Sequence, residues 1–146
     1  MSDNNNNKKN NKKYYIKKDV TQHEFDMHQH IYDLKLSNIH IPKIVSYNKK
    51  TREMSLLKIG NMNISDWYGE SEQNISSELF ESIRQIIKTL YDNNIIYPDI
   101  TGYNFIEYDN KVWILDFEHS YFRIHKHTQF VEKFVKGLNK WNPIFK

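Results

Sequence analysis

The sequence predicts an α+β protein: a small N-terminal sheet with one helix, then a longer helix, a β-hairpin and a short C-terminal helix. Three observations carry this. Residues 14–20, 44–47 and 54–59 are short runs rich in aromatic and β-branched residues, the composition of strands. Between residues 76 and 91, Leu79, Ile83, Ile86 and Leu90 recur at helical spacing, and Phe80, Ile87 and Tyr91 widen the apolar stripe. Finally, Asp109-Asn110 separates two apolar runs, 105–108 and 111–115. Both residue types tolerate left-handed turn conformations, which predicts a two-residue hairpin.

Taken in order, residues 14–20 ("YYIKKDV") form the first strand. Thr21-Gln22-His23-Glu24 has the form of a capping box, in which the Thr hydroxyl caps a free amide and Glu24 reaches back. A helix follows over 21–36, with Phe25, His28, Ile31, Tyr32 and Leu34 spaced as one face, and Pro42 lies beyond its end. Residues 44–47 and 54–59 are two strands of a hairpin around "NKKTRE". Gly60-Asn61 breaks the second, and a loop with Trp67, Tyr68 and Gly69 leads to the helix capped by Ser76. Asp92-Asn93-Asn94 ends that helix, and a strand over 95–97 and a loop over 98–103 precede the hairpin. Residues 128–138 read as a helix that stops at Gly137, and "NKWNPIFK" as a segment that docks back on the body.

At 146 residues the chain suffices for one domain with a core, placed at 14–146. A hydrophobic content of 38% and an aromatic content of 14% belong to a folded protein. No apolar run is long enough for a membrane span, the N-terminus is unlike a signal peptide, and there is no Cys, so a soluble cytoplasmic protein is expected. The net charge of +3 resides in residues 1–13, where Lys8, Lys9, Lys12 and Lys13 face only Asp3. That Asn/Lys-rich tail is expected to be disordered, the remainder is neutral, and nucleic acid is not an expected partner. His28-x-His30 and His125-x-His127 lack a third ligand at useful spacing and read as surface or partly buried histidines. Trp67, Trp113 and Trp141 read as core or interface anchors.

The chemistry gathers in "IIYPDITGYNFIEYDNKVWILDFEHS", residues 95–120. If Asp109-Asn110 is the turn, Tyr108 pairs with Lys111 and Phe105 with Ile114. Asn104 then lies opposite Leu115, beside Asp116, at the open end of the hairpin, where the loop with Asp99 also enters. The Asp116 carboxylate and the Asn104 carbonyl are hard ligands suited to Mg²⁺, and Asp99 stands off, free to accept or orient a hydroxyl proton.

The pattern D-x-x-x-x-N, strand, turn, strand and D-F-x resembles the catalytic and metal-binding loops of the protein-kinase superfamily. It is particularly similar to the RIO-type and aminoglycoside-phosphotransferase-like branches, where the last motif often reads "DFE". The resemblance covers about residues 14–120 and implies a minimal protein-kinase-like fold, with a reduced N-lobe at 14–62 and a reduced C-lobe at 63–146. It implies ATP and Mg²⁺ as cofactors, Asp99 as the catalytic residue, and Asn104 and Asp116 as metal ligands. For ATP binding it nominates Lys17, with Lys18 as the runner-up, and Leu57, Lys58, Ile59 and Gly60 as the hinge beside adenine. Glu24 is either the partner of that lysine or a helix cap, and Glu118 either tunes the metal site or bonds a loop amide.

Several features depart from the family pattern. The four glycines, Gly60, Gly69, Gly102 and Gly137, form no G-x-G-x-x-G loop, and Tyr97-Pro98 stand where His or Gly usually precedes the catalytic Asp. Fewer than thirty residues follow Glu118, so an activation segment and a large helical lobe are not expected. The resemblance thus implies a Mg²⁺–ATP-dependent phosphotransferase acting on a hydroxyl, with Ser/Thr of a protein as acceptor. The alternatives are a weakly active or inactive pseudokinase-like nucleotide-binding module and a small-molecule phosphotransferase. Apolar surface left uncovered by the missing parts predicts a partner protein or a homo-oligomer.

Overall fold

The computed structural model describes residues 13–124 and 129–145. Apart from Lys13, the expected tail lies outside the described residues, as do His125 and His127. Strand β1 (Tyr14–Lys17) leads to helix α1 (Gln22–Leu34), and β2 (Ile44–Asn48) and β3 (Glu53–Leu57) complete an antiparallel sheet of order β1-β3-β2. β1 is shorter than expected because Asp19 takes a left-handed φ of 58° and turns the chain. Val20 then faces inward, its amide on Arg52 O at 2.9 Å and its carbonyl accepting from the Tyr47 hydroxyl at 2.7 Å.

Thr21 caps α1, accepting from the Glu24 amide at 3.1 Å. The buried stripe of α1 is Glu24, Met27, His28 and Ile31, and Leu34 is on the exposed side. This corrects the expected face, because the i, i+3, i+4, i+7 set that is buried starts from a carboxylate, which an apolar pattern search passes over. Met27 and Ile31 enter the main core, whereas Val20, Met54 and Leu56 form a separate small cluster under the sheet.

After β3, residues expected as a loop form a short helix, α2 (Ile64–Tyr68). Asn63 caps it, accepting from the Asp66 amide at 2.8 Å, and Gly69 ends it at φ 96°. Five residues are too few to show a period. Helix α3 (Ser77–Asp92) has Ser76 as its cap and buries Leu79, Phe80, Ile83, Ile86, Ile87 and Leu90. Strand β4 (Ile95–Ile96) follows, then the hairpin of β5 (Phe105–Tyr108) and β6 (Lys111–Ile114). Asp109 and Asn110 both take left-handed φ, 55° and 57°, and the register pairs Tyr108 with Lys111 and Phe105 with Ile114, as the sequence predicts. Strand β7 (Tyr121–Phe122) pairs antiparallel with β4. Helix α4 (Gln129–Val135) then packs on α3, and the chain turns at Gly137. Among the described residues, no helix is long and apolar enough to cross a membrane.

Two contacts set the position of the loop between β4 and β5. Gly102 meets α2 so closely that a Cβ there would stand 2.2 Å from Ser65 Oγ. Trp141, buried, lies tilted against Phe80 with ring centroids 4.6 Å apart and stacks on Phe105 at 6.3 Å, so "NKWNPIFK" does return to the body.

Candidate active site

A cleft of about 390 Å³ opens between the sheet and the hairpin. Tyr15, Met54 and Leu56 line it from the sheet, and Asn104, Ile106, Leu115 and Asp116 from the hairpin side. The predicted hinge residues Leu57, Lys58 and Ile59 line it too, but Gly60 does not; it packs against Tyr108 instead.

Lys17 reaches this cleft because it pairs with Met54, whose side chain is buried, so strand alternation turns both inward. Its Nζ bonds to Glu24 Oε2 and stands 3.2 Å from Asp116 Oδ1. Lys18, just past the end of β1, is exposed and outside the cleft lining. Glu24 is 1% exposed, and of the two parts weighed for it the structure shows the ion pair: its carboxylate holds Lys17 and does not reach back as a cap, while Thr21 caps its amide. Burial opposes the Lys17 charge, but Asp116 and then Glu24 outweigh it and hold the ammonium above its ordinary range. Burial pushes the Glu24 carboxyl up, Lys17 only partly offsets this, and Asp116 and Glu118 push it further. Burial leads the shift at Glu24, but Asp116 acts upward on both groups, and that shared effect reflects an excess of negative charge around the pair.

The excess has a definite location. Carboxylate oxygens of Glu24, Asp116 and Glu118 lie within 4.8 Å of one another, with Lys17 as their near cation. Asp116 has a left-handed φ of 65°, which turns the chain out of β6 just past Leu115. Leu115 is held on both sides: its amide donates to Asn104 O at 2.9 Å, and its carbonyl accepts from the buried Tyr97 hydroxyl. Asn104 and Asp116 thus meet at the open end of the hairpin, and the loop with Asp99 joins them there. Asn104 Nδ2 donates to Asp99 O at 2.8 Å.

Asp99 is buried, and burial raises its carboxyl, with His119 acting against the shift and Asp116 reinforcing it. His119 was not singled out in the sequence. Its Nδ1 lies 3.1 Å from Asp99 Oδ2 and its Nε2 3.6 Å from Glu118 Oε1. Burial works against the imidazolium, but Asp99 and then Glu118 outweigh it and its pKa is raised. Twenty residues separate His119 from Asp99, and no spacing rule joins them; the only signal was its place just after the D-F-E motif, in a chain that must turn back past that loop. His28 is fully buried rather than at the surface, Nε2 2.6 Å from Pro42 O and its ring edge-on to Phe117. Burial lowers its pKa to about 4.

The family model of the RIO domain matches residues 1–140. Among solved structures, the Cydia pomonella granulovirus kinase PK-1 superposes with a TM-score of 0.57 at 12% identity, over 75% of this chain and 43% of that one. The Rad53 kinase domain with SCD2 superposes with a TM-score of 0.58 at 17% identity, over 85% of this chain and 54% of that one. The chain therefore shares the kinase fold with both and spans about half the length of each. No curated protein sequence matches it.

Proposed function

The chain belongs to the RIO domain family of atypical protein kinases, and on that premise we propose that it binds Mg²⁺–ATP and transfers the γ-phosphoryl group to a Ser or Thr hydroxyl of a protein. The observation that carries this reading is Lys17, held between Glu24 and Asp116 across the mouth of the cleft. The site has the character such a ligand needs. The hard oxygens of Glu24, Asp116 and Glu118 outnumber the cation among them, so a divalent ion would relieve repulsion there. The apolar walls from Met54, Leu56, Ile106 and Leu115 suit a purine face.

In this reading residues 14–62 act as a reduced N-lobe and 63–146 as a reduced C-lobe. Asp116 and Asn104 would hold the metal; the Asn104 Nδ2 is committed to the loop, which leaves Oδ1 as the atom it would offer. Bound Mg²⁺ supplies charge neutralisation at the phosphates. Lys17 binds phosphate oxygens, with Glu24 fixing its direction, and Leu57, Lys58 and Ile59 flank the base. Asp99 orients the acceptor hydroxyl and takes its proton. Phosphoryl transfer needs little covalent help, so holding these groups in place is most of the work.

The test is incubation with labelled ATP and Mg²⁺, beside Asp99→Ala and Asp116→Ala. Transfer by wild type is expected, with a loss of roughly a hundredfold or more in each variant. No transfer and no Mg²⁺-dependent nucleotide binding by wild type would overturn the proposal. A second reading, a pseudokinase-like module, is favoured by the lack of a G-x-G-x-x-G loop over the phosphates; it predicts Asp116-dependent binding with no transfer.

A further inference from the structure

We propose that residues 141–145 brace the loop of Asp99, and that Asn142 is a positioning residue for that carboxylate; this rests on the phosphotransferase reading. The loop between β4 and β5 has little backbone support of its own. Its internal backbone bonds near Asp99 skip only one residue, Ile100 N to Pro98 O at 2.8 Å and Thr101 N to Asp99 O at 3.0 Å, and one side-chain bond, Asn104 Nδ2 to Asp99 O, adds to them. Such three-residue turns close with poor geometry and fix a chain weakly.

Asn142 supplies what the loop lacks. Its backbone amide donates to Ile100 O at 2.8 Å, and its side-chain Nδ2 donates to Pro98 O at 2.9 Å. The two carbonyls it takes are those on either side of Asp99, so the residue is gripped before and after the carboxylate. Asn142 Oδ1 accepts from Ile144 N at 3.2 Å, which fixes the amide with its nitrogen toward the loop. An amide is required to do both; a carboxylate would set oxygen against oxygen at Pro98.

The brace is itself anchored. Asn142 is 3% exposed, Trp141 packs tilted on Phe80 of α3 and stacked on Phe105 of β5, and Trp141 N donates to Glu72 Oε2 at 3.3 Å. The same segment reaches the carboxylate from its far side, since the Phe145 ring lies 4.9 Å from His119, whose Nδ1 is on Asp99. Displacement of an acceptor-orienting group by about 1 Å costs transfer far more than it costs nucleotide binding.

The experiment compares the full chain with Asn142→Asp and Asn142→Ala by three readouts: amide hydrogen exchange, Mg²⁺–ATP affinity, and steady-state transfer. We expect exchange over residues 97–104 to rise about tenfold while α3 keeps its protection. We expect kcat to fall roughly 10- to 100-fold with nucleotide affinity within about twofold of wild type. Asn142→Ala keeps the backbone bond to Ile100 O and decides the matter if Asn142→Asp does not fold. Unchanged loop exchange overturns the brace, and so does an equal rise in α3, which would mark a general loss of stability. Altered loop exchange with unchanged kcat overturns the positioning role. If wild type itself transfers nothing, the phosphotransferase reading fails, while the exchange arm still decides whether Asn142 holds the loop.

Discussion

Met54 and Leu56 of β3 are buried in a cluster whose only other buried member among the described residues is Val20, with Phe25, Ile44 and Tyr47 at its edge. Phe105 of β5 lies in a continuous core drawn from α1, α3, β4, α4 and Trp141. The cleft runs between these two bodies, so its two walls are held by different forces. Asp99 and Asn104 stand on packed apolar material, whereas Lys17 stands on a thin sheet and is fixed by charge. Two of the sheet's exposed residues, Tyr15 and Ile16, are themselves apolar, which shows how little of its hydrophobic content the sheet can bury. The N-terminal wall is therefore the part whose position depends most on charge, and hence on pH and on what the cleft contains.

Truncation is the severest way to test that contrast. Phe105→Ala should destabilise the fold by about 3–5 kcal/mol, because the stacked Trp141 and the Tyr97 ring cannot collapse into the space. Leu56→Ala should cost about 2 kcal/mol, since the small cluster has less to lose and can relax. Urea denaturation gives both numbers, and equal losses would break the comparison.

Acidification should come next in size. His28 bridges α1 and the main core, and its pKa falls from 6.5 to about 4 on folding. A depressed folded pKa means that the unfolded chain binds the extra proton. Its contribution is complete above pH 6.5 and is lost as the pH falls toward 4, by about 3 kcal/mol in all. Stability measured between pH 7 and pH 4 should fall by this amount, and His28→Phe should flatten that part of the curve. An unchanged slope in the variant would assign the acid sensitivity to other groups.

Lys17→Met sharpens the contrast at smaller cost. It strands the buried Glu24 carboxylate, for a loss of about 2 kcal/mol at neutral pH. Because the Glu24 carboxyl is already raised, the loss should shrink as the pH falls and Glu24 protonates. Thermal melts at pH 7 and pH 5 read this directly; a loss that does not depend on pH would mean that packing, not charge, holds the N-terminal wall.

Much of this was legible in the sequence where local chemistry sets the geometry. Asp109-Asn110 fixed the hairpin register, and that register alone brought Asn104 beside Asp116. Thr21 and Ser76 marked their helix starts because a cap is a local bond. Pairings made at a distance left no such trace. β4 and β7 are two residues each and meet across a gap of more than twenty positions, so neither shows alternation. Lys17 was nominated ahead of Lys18 by the resemblance alone, because the inward face of β1 is set by its pairing with Met54 and not by β1 itself. Asn142 and His119 reach Asp99 only because the chain folds back twice over the same loop.

The backbone of Asp116 carries one more implication. At φ 65° it occupies a region where a side chain costs about 1 kcal/mol and glycine costs little. Glycine there would relieve the angle, but it would also remove a carboxylate that lines the cleft and stands 3.2 Å from Lys17 Nζ. Asp19, Asn94, Asp109 and Asn110 share this region and mark turns of the chain; at Asp116 the turn is the one that delivers a carboxylate to the cleft.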